Sequence, residues 1–183
     1  RMMVLSPCDA MEAKKVTLAS VDTGTPVYIR LAREKTPVMT TAETPFEIGK
    51  AQTFWASDVP KAGIVATGAL LYRALLAAKE LEENGVAVEV MNLSTIKPLD
   101  EKAIIELAKK TGRIITVEEH QTRGGMGSAV AECLAKNFPV PMEFIGVDDL
   151  FGQSGTPDEL IEHYGMGTKS IIQAVNKILK RYS

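Results

Sequence analysis

From residue 62 onward, short apolar runs and amphipathic stretches take turns with a regular rhythm, and this alternation constrains the fold more than any other feature of the chain. The apolar runs at 63–67, 87–92, 113–118 and 142–147 have the length and aliphatic character of buried strands. Between them, about 69–84, about 100–111 and about 126–137 carry apolar residues at helical spacing, and two more helices follow to the end of the chain. Strand and helix in strict alternation predict an α/β domain: a mainly parallel sheet, right-handed crossovers, and helices on both faces in three layers. The helix ends are marked. Gly85 and Gly112 stand where helices stop and supply the left-handed backbone of a C-terminal cap. "TPDE" at 156–159 offers an N-cap threonine, proline at the first helical position and Glu159 for the reciprocal bond. In the last helix Ile171, Ile172, Val175, Ile178 and Leu179 form one apolar stripe, with Lys177, Lys180 and Arg181 turned to water.

The preceding part reads as the end of a second α/β unit: strand 2–5, helix from about Asp9 to about Ser20, strand 26–32. Asp9 caps that helix, and Glu12 three residues later completes a capping box. One helix and two strands cannot bury both faces of a sheet, so this unit needs further partners. The opening "RMMVLSP" starts on a non-initiator arginine and runs at once into a strand, as if cut into an existing fold. A polar, threonine- and proline-rich passage at 34–45 suits a linker, and the boundary falls there, giving units 1–42 and 43–183. After it, "FEIGKAQTFWASD" reads as one or two edge strands with Trp55 half buried.

Composition narrows the function classes. The 183 residues hold 21 basic against 23 acidic side chains, a net charge of -2, with no cationic block to bind nucleic acid or an anionic membrane. The longest apolar stretch carries Arg73 near its middle and reads as strand then helix, not as a membrane span. Cys8 and Cys133 lack any metal-ligand or CxxC spacing, and His120 and His163 lie far apart, so neither a metal site nor a disulfide is expected. Without a recognisable targeting segment the expected location is the cytoplasm.

The densest polar stretch is "VEEHQTRGGMGSAVAE" at 117–132. Gly125-Met126-Gly127 follows a strand and opens a helix, with Asp148 about 20 residues on, as a dinucleotide fingerprint asks. Val130 occupies the third glycine position, however, and the polar run Glu119–Arg123 abolishes the tight turn. The plainer reading is that the glycines allow close backbone approach and that Ser128 helps satisfy the first-turn amides. Glu118, Glu119 and His120 end a strand, where ligands gather in open α/β sheets, although such polar ends are more often surface or interface groups. Asp148 and Asp149 are candidates of the same kind, and His163 reads as a surface or half-buried residue. Arg30 and Arg33 in "YIRLAREKTP" would deliver two fixed cations at a strand end, suited to phosphate oxygens, or else stand solvated at a chain reversal.

Taken in order, "VLSPCDAMEAKK", "GTPVYIRLAREKTP", "FEIGKA", "TIKPLD", "TVEEH…GGMGSAVAE" and "VDDLFGQSGTPDELIEHYG" resemble the C-terminal part of transketolase, above all the split form whose C-terminal half is a separate subunit. The resemblance spans essentially the whole chain. It implies the end of a thiamine pyrimidine-binding domain over 1–42 and a transketolase C-terminal domain over 43–183. The implied activity is transfer of a two-carbon ketol unit from a ketose phosphate to an aldose phosphate, a reaction of the pentose phosphate pathway, with thiamine diphosphate and magnesium as cofactors of the complete enzyme. "LAR" resembles the family's "LSR", which implies sugar-phosphate binding by Arg33; Arg30 matches a position shared with related thiamine enzymes. The family's activating glutamate, substrate histidines and aromatic cofactor wall have no counterpart here. The resemblance therefore implies no catalytic residue in this chain, no cofactor bound to it alone, and a homodimer or a heteromer with an N-terminal subunit. It assigns "EEH…GGMGS" to architecture and interface. Related thiamine enzymes, deoxyxylulose-phosphate synthase and the 2-oxoacid dehydrogenase β subunit, share the domain pair, and a purely structural dimerisation module is a further alternative.

Overall fold

A computed structural model describes residues 1–181. The region after residue 50 builds a five-stranded sheet in the order β3-β5-β4-β7-β8, from β3 (Gln52–Ala56), β4 (Ala62–Ala66), β5 (Val88–Asn92), β7 (Ile114–Gln121) and β8 (Met142–Val147). The β5-β4-β7-β8 pairings are parallel, and β3 runs antiparallel to β5 at one edge with Trp55 half buried. Helices α2 (Leu71–Glu83), α3 (Glu101–Thr111), α4 (Met126–Asn137), α5 (Pro157–His163) and α6 (Thr168–Arg181) fall between and after these strands. This is the expected three-layer arrangement.

Side-chain alternation along β4 shows why both faces are covered. Ile64 and Ala66 point into a core with Leu71 and Ala74 of α2 and Ile171, Val175 and Ile178 of α6. Val65 points the other way, among Ile104 and Leu107 of α3 and Val130 and Leu134 of α4. Each fully buried Leu or Ile stabilises by roughly 1.5–3 kcal/mol, so the two cores dominate stability. Gly112 ends α3 in the left-handed region at φ 68°, as its position implied.

Residues 1–42 contribute β1 (Met3–Leu5), α1 (Ala10–Ala19) and β2 (Val27–Ile29), with β1 and β2 parallel. Their sheet has a third strand that the sequence pattern does not reveal: β6 (Thr95–Lys97), which pairs antiparallel with β1 and gives the order β2-β1-β6. The second region thus lends a strand to the first. The capping box expected at α1 also differs. Asp9 Oδ1 accepts from Glu12 N at 2.8 Å, but Glu12 reaches one residue further back, accepting from Cys8 N at 2.6 Å and from Asn92 Nδ2 of β5 at 2.9 Å. Burial beside the β5 terminus gives the Glu12 carboxylate partners from both regions, and these outcompete the local bond.

Candidate functional site

The first region and the five-stranded sheet meet over a cavity of about 600 Å³. Val4 and Arg30 from the small sheet, Ile96 and Leu99 from the β6 segment, and Glu118 and Met126 from β7 and α4 are among its walls. Its lining mixes aliphatic side chains with charged groups of both signs.

Glu118 is the most constrained polar group here. Only 2% exposed, its carboxylate accepts from Met126 N and Gly127 N, both at 2.7 Å. These are first-turn amides of α4, which no intrahelical carbonyl can satisfy, so Glu118 acts as a remote N-terminal cap whose charge also suits the helix dipole. Burial pushes its carboxyl above the ordinary glutamate value; the bonds from Gly127 N and Met126 N and the nearby His120 and Arg30 offset only part of that. The glycines make the contact possible. A Cβ on Gly125 would collide with Glu118 Oε2 and lie 2.5 Å from Gln121 O, and one on Gly127 would lie 2.6 Å from Thr116 Oγ1. Ser128, expected to satisfy first-turn amides, instead accepts from Gly124 N at 2.8 Å and donates to Thr122 O at 3.0 Å, bracing the turn before the helix. Glu118 takes the amides because it rises from the strand directly beneath them.

His120 is exposed, its Nδ1 3.0 Å from Gln121 O and 3.9 Å from Glu118 Oε2, and Glu119 is half buried on the cavity wall. Asp148 and Asp149 lie away from the cavity on an exposed loop: Asp148 makes a long 3.8 Å ion pair with Arg123, and Asp149 N donates to Gln121 Oε1 at 2.9 Å. His163 is exposed on α5. The structure therefore gathers Arg30, Glu118, Glu119 and His120, and leaves Arg33 exposed outside the cavity wall.

A second buried polar centre is not apparent from the sequence. Asp9, 4% exposed, not only caps α1 but accepts from Met39 N and Thr40 N, each at 2.6 Å, and from Thr40 Oγ1 at 2.7 Å. Burial alone would raise its carboxyl; the bonds from Glu12 N, Thr40 and Met39 outweigh it and hold the group below the ordinary aspartate value. A capping aspartate signals its helix in sequence. Nothing local signals a partner thirty residues away.

Residues 55–171 match the family described as transketolase, C-terminal domain. The chain belongs to the transketolase family. It is 39% identical over 181 residues to the 6-deoxy-6-sulfo-D-fructose transketolase subunit SqwH of Clostridium sp. (strain MSTE9), covering 98% of this chain and 55% of that one. It is 38% identical to one of the subunits of the apulose-4-phosphate transketolase of Phocaeicola vulgatus, covering 98% and 57%. Among solved structures, one described as a split gene transketolase, inactive beta4 tetramer, superposes with a TM-score of 0.93 at 38% identity, covering 98% of this chain and 58% of that one. The chain thus spans a little over half the length of these transketolase subunits.

Thiamine diphosphate and magnesium, which the resemblance implies for the complete enzyme, do not fit the residues of this cavity. The α4 N-terminus, which could seat a diphosphate, already has Met126 N and Gly127 N bonded to Glu118. The described residues include no group of three or more His, Cys, Asp or Glu placed to hold a metal ion. The same occupied amides argue against a dinucleotide.

Proposed function

We propose that this chain supplies the C-terminal half of a split transketolase. In the complete enzyme it would help assemble the dimer and contact the sugar phosphate through Arg33 and, from the cavity wall, Arg30, while an N-terminal partner subunit holds thiamine diphosphate and magnesium. The reaction is transfer of a two-carbon ketol unit between ketose and aldose phosphates, carried out in the cytoplasm as in the pentose phosphate pathway. The observation that carries this reading is alignment of 98% of the chain with two named transketolase subunits and with a structure described as a split gene transketolase. The names of the two relatives point to sugars that share a tetrahedral anion, a sulfo group in one and a phosphate in the other. An arginine fork suits either. The beta4 tetramer is described as inactive, which supports the view that such chains need a partner to turn over.

The test is reconstitution with an N-terminal transketolase subunit, thiamine diphosphate, magnesium and a panel of ketose and aldose phosphates. The expected result is ketol transfer only when both subunits are present. Turnover by this chain alone, or pyruvate-dependent chemistry typical of deoxyxylulose-phosphate synthase, would overturn the proposal. A purely structural role would show as Arg33→Ala leaving every Michaelis constant unchanged.

A further inference from the structure

Arg33 sits on a stretch, residues 31–38, that is exposed except for half-buried Thr36 and belongs to no helix or strand. A cation on such a stretch recognises an anion well only if the chain carrying it is held, because ordering it during binding costs affinity. Both ends of this stretch are held. At its start, Arg30 N donates to Leu5 O at 2.8 Å, extending the β1–β2 pairing. At its end, Asp9 Oδ2 receives both Met39 N and Thr40 N at 2.6 Å, while Asp9 Oδ1 receives Thr40 Oγ1 at 2.7 Å and the α1 amide Glu12 N at 2.8 Å. One buried carboxylate thus ties the far end of the arginine segment to the helix that follows β1. Lys15, one turn further along α1, extends the tie by donating to Thr41 O at 2.5 Å.

We infer that Asp9 is a positioning residue for anion recognition: by clamping Met39 and Thr40 onto the start of α1, it fixes the 31–38 loop so that Arg33 is presented to a sugar phosphate in one place. This rests on the Arg33 contact proposed above. Helix capping needs only one of the two carboxylate oxygens; the second serves the loop alone. Ordinary capping would be met as well by serine, which ranks with aspartate at N-cap positions. Charge-assisted bonds to two consecutive backbone amides are what serine cannot supply.

Asp9→Ser therefore separates the two roles, keeping a helix cap and removing the clamp. In the reconstituted two-subunit enzyme we expect the variant to raise KM for a phosphorylated ketose on the order of tenfold. With a phosphate-free pair such as hydroxypyruvate and glycolaldehyde, kcat/KM should stay within about twofold, because those substrates do not use the arginine. Asp9→Ser combined with Arg33→Ala should be no worse toward phosphate than Arg33→Ala alone, since one acts through the other. Equal losses with both substrate pairs, or none with either, would overturn the inference. Should Asp9→Ser fail to assemble, Thr40→Val removes a single clamp bond and should show the same phosphate-selective change at a few-fold; its absence would be equally decisive. If Arg33→Ala itself spares phosphorylated substrates, the functional reading fails. If Arg33→Ala is selective and Asp9→Ser is silent, only the positioning role falls.

Discussion

Replacing Glu118 with alanine would strip α4 of its cap and should cost far more than an ordinary surface change. Two amides, Met126 N and Gly127 N, would lose acceptors 2.7 Å away in a setting where the residue is 2% exposed. A buried donor left unpaired costs about 1–3 kcal/mol, so the pair sets a range of roughly 2–6 kcal/mol. Two effects pull the result toward the lower half. Alanine removes a carboxylate whose charge is penalised by burial, and the neighbouring cavity lets water approach the freed amides. The expected loss is about 3 kcal/mol. For a chain of this size that lowers Tm by about 6–12 °C. The pH dependence follows from the same burial. Because the folded-state carboxyl is raised, folding takes up a proton, and the contribution of this group is fullest below the ordinary glutamate pKa and declines as pH rises through the raised folded value. The stability gap between parent and Glu118→Ala should therefore narrow from acid to neutral pH. Denaturant titrations followed by far-UV circular dichroism across that range measure it, and amide exchange over residues 126–130 localises it. A Tm change below about 2 °C would refute the assignment of Glu118 as the α4 cap, whereas a gap that widens with pH would refute the dominance of burial over the two amide bonds.

The remaining expectations concern neighbouring features. Gly127→Ala should destabilise by about 1–3 kcal/mol in denaturant titration, since its Cβ would sit 2.6 Å from Thr116 Oγ1 and 2.9 Å from Phe144 Cδ1, outweighing the roughly 1 kcal/mol that alanine otherwise adds to a helix. Arg73→Ala should change stability by no more than about 1 kcal/mol, although Arg73 pairs with Asp158 of α5, because the aspartate side chain is 81% exposed and the pair is screened; a larger loss would show that α5 docks through that pair. In the reconstituted enzyme Arg33→Ala should raise KM for phosphorylated sugars by about ten- to a hundredfold with kcat little changed, the range expected for losing a charge-assisted contact of about 1.5–3 kcal/mol. An unchanged KM in steady-state kinetics would remove Arg33 from the substrate site.

Legibility differed between the two regions for a physical reason. Apart from β6, the strands and helices after residue 62 were readable because each is specified by its own periodicity: Leu71, Ala74, Ala78 and Leu81 mark the buried face of α2 within a single segment. Strand β6 was not readable. Its three residues carry no period, and only pairing with β1, some ninety positions earlier, makes them a strand. The polar residues divide in the same way. Asp9 announced a helix start but not its hold on Met39 and Thr40, and Glu12 announced a capping box but chose Asn92. At 117–132 the glycines were correctly legible as places of close approach, whereas the group that approaches, Glu118, was identifiable only by its position at a strand end. Buried carboxylates select partners by proximity in the fold, and a sequence records only proximity along the chain.

The position of Glu118 also bears on what this kind of domain can do. In an open parallel sheet, ligands settle beyond the carboxyl ends of the strands where the order reverses, here between β4 and β7. That crevice is filled from within. Glu118 occupies the α4 amides that would face a phosphate, and Gly68 N, just past β4, donates to Ser6 O of the first region at 3.2 Å. At the end of β5, Asn92 holds Glu12 of α1, and beyond it β6 goes on to pair with β1. The edge that would take a cofactor thus takes the unit with Arg30 and Arg33 instead. A sheet so used works as a rigid platform: its strand ends fix β1 and α1, β1 fixes β2, and Asp9 at the head of α1 fixes the loop beyond. Asn92 of the five-stranded sheet and the proposed anion contact of the first region are therefore successive links of one mechanical chain, and a change at Asn92 should weaken recognition of the anion without touching substrate.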